Sequence, residues 1–193
     1  MTFSSPVSDD RSIEARLARS DGLHSPRPLT RADRERFLSE ARVAVLSVDA
    51  GPGRPPASVP LWYAYEPGGD VLVNTSLSSR KARLIRAAGA ATLAVQDASL
   101  PYRYVVVEGQ VVNIVHPSPM AVRRAIARRY LSPEGADAAV DRYDPDDQVL
   151  FVLRPQRWYS ADFSASPTTH AANGSLEPTR PAYPAHETGV SDD

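Results

Sequence analysis

Cysteine is absent from this 193-residue chain, which excludes disulfides, thiol nucleophiles and thiolate metal sites. Histidine is scarce, confined to His24, His116, His170 and His186, and none of these is spaced as a metal-binding pair. A serine hydrolase is disfavoured too, because Gly-x-Ser-x-Gly does not occur and no histidine is placed to act as base. No apolar run approaches the ~20 residues of a membrane-spanning helix. The polar opening Met1-Thr2-Phe3-Ser4-Ser5 is not a signal peptide, so a cytoplasmic location is expected. Net charge is missing as well: 22 basic residues against 23 acidic ones leave -1, with no global field to draw nucleic acid or anionic lipid. Lysine is nearly absent. Of the 22 basic residues all but Lys81 are arginine, a bias that GC-rich coding produces. Against it Lys81 is either a chance survivor or a residue kept for its chemistry.

What is present suffices for one core. Hydrophobic residues make up 42% of the chain and charged residues 23%, the balance of a globular domain. Residues 1–28 read as a tail with a short helix around Ile13 and Leu17. Residues 164–193, with Pro167, Pro178, Pro181 and Pro184 and few large apolar side chains, read as a disordered tail that cannot offset its ordering entropy. The folded domain is expected over 29–163.

Within it, Thr30 caps a helix that carries Phe37 and Leu38 inward, with Asp33 near its positive end. Arg42 to Asp49, Ala57 to Tyr65 and Val71 to Thr75 read as three strands of an antiparallel meander, separated by Gly/Pro-rich turns. Ser78-Ser79 opens a short helix over Arg80 to Ala88. Ala91 to Gln96 and Tyr102 to Val115 are strands, and Glu108-Gly109 inside the second predicts a bulge. Pro119 to Leu131 is an amphipathic helix, Ser132 to Asp147 a loop, and Gln148 to Leu153 and Arg157 to Asp162 two closing strands. Strands that mostly follow one another directly argue against an alternating parallel fold. A mainly β fold is expected: a small barrel of six or seven strands with peripheral helices, closed because closure removes exposed edges.

The segment richest in chemistry is Asn74-Thr75-Ser76-Leu77-Ser78-Ser79-Arg80-Lys81-Ala82-Arg83. Free N–H groups at a helix start, hydroxyls and clustered cations favour a bound phosphate. Cations there also oppose the helix dipole, a conflict that an anion resolves. The alternative is a solvated arginine-rich face. Trp62, Tyr63, Tyr65, Tyr102 and Tyr104 are candidate walls for a flat ring, against the plainer reading that strand aromatics fill the core. Trp62 leads because nearby Pro60 marks irregular pairing. Asn74, Thr75, Ser76 and Gln96 are candidates for the polar edge of such a ring.

Ser79-Arg80-Lys81-Ala82-Arg83-Leu84 after a strand resembles the cofactor-phosphate motif of the pyridoxamine 5′-phosphate oxidase-like, FMN-binding split β-barrels. Arg42 to Val48 resembles the first strand of that superfamily. Val59-Pro60-Leu61-Trp62-Tyr63 resembles the strand along the cofactor ring, and Pro101 to Val111 the long strand after the loop. Tyr102-Arg103-Tyr104 and Arg128-Arg129-Tyr130-Leu131 are most similar to the actinobacterial branch that uses coenzyme F420, a deazaflavin. The resemblance spans residues 30–163.

It implies a homodimeric split β-barrel that passes a hydride from reduced F420 to a small organic acceptor. Its cofactor-binding residues would be Val59, Pro60, Leu61, Trp62, Asn74, Thr75, Ser76, Ser79, Arg80, Lys81, Arg83 and Gln96, with no metal. The accompanying proton would come from solvent or from Tyr102, the candidate catalytic residue. FMN is the alternative cofactor, and a non-catalytic carrier of flavin, deazaflavin or haem the alternative function.

Other motifs carry less. Gly51-Pro52-Gly53 lacks the residues of a phosphate loop, and its proline removes an N–H donor. Asp141 to Asp147 lacks calcium-loop spacing and reads as a solvated acidic loop. Arg123, Arg124, Arg128 and Arg129 are either a solvated helix face or a grip on an anionic cofactor tail; nucleic acid is disfavoured by the neutral charge.

Overall fold

A computed structural model describes residues 26–164; the tail readings for 1–25 and 165–193 lie outside the described residues. Six strands form one antiparallel sheet: β1 (Ala44–Val48), β2 (Ala57–Leu61), β3 (Val71–Ser76), β4 (Ala90–Gln96), β5 (Arg103–Val115) and β6 (Gln148–Asp162). Their spatial order is β2-β1-β4-β5-β6-β3. The sheet curls until its two edges approach each other. A single bridge, Ala64 to Leu72, with N–H···O bonds of 3.0 and 2.8 Å, links the chain after β2 to β3.

That topology corrects the expected meander. β1 and β2 form a hairpin, but β3 pairs with β6, from Val71 opposite Leu153 to Ser76 opposite Gln148. The turn at Pro67–Asp70 returns the chain only as far as the Ala64–Leu72 bridge, so β2 and β3 share no ladder. The two closing strands are also one: β6 runs through Pro155, which faces Gly109 where the register slips between Glu108 and Gly109. A bulge absorbs the missing N–H of proline and bends both strands. Glycine suits the close approach there, since a Cβ on residue 109 would sit 3.2 Å from the Leu153 Cβ and crowd it.

Strict alternation places the core. Ala44, Leu46 and Val48 of β1, Val71 and Val73 of β3, and Leu93 and Val95 of β4 point inward beside Phe37, Tyr63, Ile85 and Phe151. Helix α1 (Arg31–Ser39) covers one end and is capped as expected, with the Thr30 hydroxyl accepting from the Asp33 N–H at 3.1 Å. Helix α2 (Arg80–Ala88) follows β3 and ends at Gly89, whose φ of 66° is the left-handed conformation glycine adopts at helix ends.

Helix α3 (Met120–Arg128) is followed by α4 (Pro133–Asp141), in a stretch expected to be loop. Its signals are plain once seen: Ser132 caps it by accepting from the Gly135 N–H, Pro133 opens it, and Ala136 and Val140 share one face. Gly135 in the first turn obscured them. No helix among the described residues is long and apolar enough to cross a membrane.

Candidate functional site

The chemistry gathers where the ends of β2 and β3 and the start of α2 meet the α3–α4 pair. At the α2 start the Ser79 hydroxyl accepts from the Ala82 N–H at 3.1 Å and donates to the Ser76 carbonyl at 2.7 Å. The N–H groups of Arg80 and Lys81 have no acceptor among the described residues, and the first turn holds no acid. No described carboxylate pairs with Lys81, and burial pushes its ammonium below the ordinary lysine value. Half-buried, unpaired and at the positive end of a helix, this cation is unfavourable unless an anion joins it.

Lys81 lies between two hollows. The larger has a volume of about 650 Å³, within the range of small-molecule sites. Pro60, Leu61, Trp62, Asn74, Thr75, Ser76, Lys81 and Gln148 line it on the sheet side, and Arg123, Ile126, Ala127, Leu131, Ala139 and Val140 on the helical side, with Arg142 and Tyr143 beyond α4. The smaller, about 310 Å³, includes Val59, Ser79, Arg80 and Leu84 and shares Lys81.

Trp62 is 37% exposed and stacks on Tyr130, ring centres 5.0 Å apart and planes 7° from parallel. The Tyr130 hydroxyl donates to the Arg42 carbonyl at 3.0 Å and accepts from the Tyr63 N–H at 3.2 Å, fixing the end of α3 against β1 and β2. The Asn74 amide donates to the Gln148 side-chain Oε1 at 2.8 Å, leaving a buried Asn74 Oδ1 without a donor. Not every expected donor is free. The Asp147 carboxylate accepts from the Ser76 hydroxyl and from the Ser78 N–H, at 3.0 Å for the latter, and these bonds hold its carboxyl below the usual range. Asp147 is therefore a brace for the β3–α2 turn and departs from the solvated-loop reading.

The structure thus brings Pro60, Leu61, Trp62, Asn74, Thr75, Ser76 and Lys81 to one cavity, with Val59, Ser79 and Arg80 beside it. Arg83 is exposed and lines neither hollow. Gln96 and Tyr102 lie apart, lining a separate hollow of about 240 Å³ with Asp97 and Leu100. The Tyr102 ring stacks on Phe163 at 4.6 Å, because the turn before β5 folds against the end of β6. Within one chain Tyr102 therefore does not reach the cavity.

The aromatics divide in the same way. Tyr63 is fully buried, donates to the Leu38 carbonyl at 2.8 Å, and has its hydroxyl pKa pushed up by burial. Tyr65 is buried edge-on to Trp158, and Tyr104 lies near Phe163. For Tyr63 and Tyr65 the core reading holds, Tyr104 is only partly buried and off the cavity, and of these candidates only Trp62 faces it.

The arginines of α3 split most sharply. Arg124 pairs with Asp137 and Asp141, and Arg128 with Asp137, so both belong to the solvated seam between α3 and α4. Arg129 donates to the Glu40 carbonyl at 3.0 Å. Arg123 is only 4% exposed and lines the cavity. Gln148, Tyr143 and the α4 residues were not among the expected site residues; a strand-first residue and a helix read as loop gave no sign of facing a cavity.

A family model described as pyridoxamine 5′-phosphate oxidase matches residues 30–159. Among solved structures, the chain is similar to an F420 reductase at 26% identity, with a TM-score of 0.54, covering 64% of this chain and 94% of that one. It is similar in fold to a conserved hypothetical protein from Mycobacterium tuberculosis at 23% identity, TM-score 0.61, covering 79% and 97%. A FAD-binding protein from Mesorhizobium loti shares the fold at 20% identity, TM-score 0.51, covering 72% and 99%. Among curated proteins no relative matches the chain.

Proposed function

The chain belongs to the pyridoxamine 5′-phosphate oxidase family, which includes flavin-binding oxidoreductases, and we propose that it is a coenzyme F420-dependent reductase. The observation that carries this reading is the start of α2: an unpaired, half-buried Lys81 with two free N–H groups, opening beside the exposed face of Trp62. That is a place for an anion next to a place for a flat ring. The orphaned Asn74 Oδ1 supplies the third element, an acceptor for an N–H on the ring edge. The similarity to an F420 reductase at 26% identity supports the deazaflavin over FMN.

In this reading Arg80, Lys81 and the α2 N–H groups hold the cofactor phosphate, while Trp62 and Pro60 lie along the ring and Asn74 orients its edge. When bound, the reduced cofactor supplies a hydride to an organic acceptor, and water supplies the proton. Tyr130 keeps the Trp62 plane fixed, and the α3–α4 pair covers the cavity against solvent. The outward Val43 and Val45, 51% and 42% exposed, give the sheet an apolar outer face on which a second copy would pack as a homodimer. A cytoplasmic location accompanies this reading.

Optical titration of the purified protein with F420, FMN and haem, followed by turnover with reduced F420 and a panel of acceptors, tests it. Tight F420 binding with turnover is expected. FMN or haem binding without F420 binding would overturn it, and F420 binding without turnover on any acceptor would make the protein a carrier.

A further inference from the structure

Arg123 is a buried cation with no counter-ion among the described residues. Its Nε and Nη1 have no partner, and Nη2 meets only the Met120 sulfur at 3.2 Å, a weak acceptor. It also sits in the first turn of α3, where the helix dipole disfavours positive charge and no acidic residue offsets it. The acids of α4 are turned elsewhere, Asp137 to Arg124 and Arg128 and Asp141 to Arg124. A solvated face would leave this side chain in water, and a structural ion pair would give it a carboxylate. It has neither, and the group lines the cavity.

The whole lining repeats the imbalance: Lys81, Arg123 and Arg142 contribute charge, and no carboxylate does. On the helical side, which carries Arg123, the lining is largely apolar, with Ile126, Ala127, Leu131 and Val140. A guanidinium desolvated among aliphatic side chains matches a ligand with an apolar body and a single anionic group. A free phosphate, charged on every side, suits it poorly.

We propose that Arg123 is an anion subsite for the molecule this site reduces, so that the acceptor is an amphipathic organic acid held by its carboxylate. The word acceptor rests on the reductase reading; the anion subsite does not. No bond forms or breaks in this step: Arg123 binds and positions, leaving the apolar body of the acid toward Trp62.

The test uses the purified chain, wild type and with Arg123→Met and Arg123→Lys, at constant ionic strength. Thermal melts are recorded with benzoate, with its neutral counterpart benzamide, and with inorganic phosphate; F420 affinity is titrated separately. Benzoate should stabilise the wild type and benzamide should not. Arg123→Met should weaken benzoate binding by at least tenfold, and Arg123→Lys should retain part of it. Without ligand, Arg123→Met should melt no lower than wild type, because it removes a buried unpaired charge.

Equal benzoate binding by wild type and Arg123→Met, or none by either, would overturn the proposal. So would phosphate stabilisation that matches benzoate, or an apo melting temperature that falls on Arg123→Met. Loss of F420 affinity in Arg123→Met would assign the charge to the cofactor and also overturn it. Arg123-dependent benzoate binding in a protein that binds no F420 would uphold the subsite and sink the reductase reading alone.

Discussion

The curled sheet and the α3–α4 pair enclose the same cavity but are held together very differently. Inside the sheet twenty buried residues form one continuous core, with Phe37, Tyr63 and Phe151 among them. Between the two helices the separate core is only Ala127, Ala136 and Val140. Further ties are a seam of ion pairs at the surface, the stack of Tyr130 on Trp62, and the hydrogen bonds of Tyr130 and Arg129 to the sheet side. The sheet thus supplies a firm bed carrying Trp62, Asn74 and the start of α2, and the helices supply a light cover carrying Arg123. On the proposed reading, a site built this way keeps the half that would face the cofactor rigid while the half that would face the acceptor can yield.

The largest test of that contrast is in the two cores. Phe151→Ala in the sheet should cost about 3–5 kcal/mol, the usual penalty for emptying a fully buried aromatic position. Val140→Ala between the helices should cost about 1–2 kcal/mol, from two methyl-sized groups at ~0.8 kcal/mol each. Denaturant titration measures both. Hydrogen exchange should show α4 amides opening well below the energy needed for β4 and β5. Equal protection across the two regions would mean that the helical pair is as firmly set as the sheet.

A smaller effect should separate the two cations of the site. Lys81→Ala should weaken cofactor binding by roughly 10- to 150-fold, the loss of one charge-assisted hydrogen bond worth about 1.5–3 kcal/mol. Arg83→Ala, exposed and outside both hollows, should leave it unchanged. Lys81→Arg should fall between, since it keeps charge but changes donor geometry. Fixed-salt titration with apo melts alongside distinguishes binding from folding. Equal affinity in all variants would leave the phosphate to Arg80 and the free N–H groups.

Much of the rigid half was legible in the sequence. Alternation marked the strands, Thr30 and Ser79 marked two helix starts, and Glu108-Gly109 marked the bulge, each being a local rule acting on adjacent residues. The segment proposed to hold a phosphate could be singled out for the same reason, since its donors are contiguous. The pairing of β3 with β6 was not, because nothing between Val71 and Ser76 names a partner more than seventy residues away. Nor was the choice among four arginines on α3. Arg123 and Arg124 are adjacent and chemically identical; helical phase sets Arg123 beside Ile126 and Ala127 and Arg124 beside Arg128, but that one face lines a cavity and the other a seam depends on where α4 packs. The mislaid Tyr102 has the same origin: its place depends on how the turn after β4 folds against Phe163.

The smallest effect concerns the seam itself. Asp137 accepts from Arg124 and Arg128, both partly exposed, at 3.2 Å each. Exposed ion pairs of this kind contribute about 0–1 kcal/mol, and salt screens them. Asp137→Asn should therefore lower global stability only slightly at low salt and not measurably at high salt. Its consequence for the cover is more specific. Removing the acid frees the Arg128 guanidinium and leaves Arg124 with Asp141 alone, near a cavity that already carries unpaired positive charge, so the cover should open more readily while anion attraction rises. Benzoate association should then be faster at low salt, with its dissociation faster too, and the two changes largely cancelling in affinity. Stopped-flow binding at two ionic strengths reads both rates. Unchanged rates would show that the seam is only surface decoration and that the packing of Ala127, Ala136 and Val140, together with Tyr130, sets how firmly the cover is held.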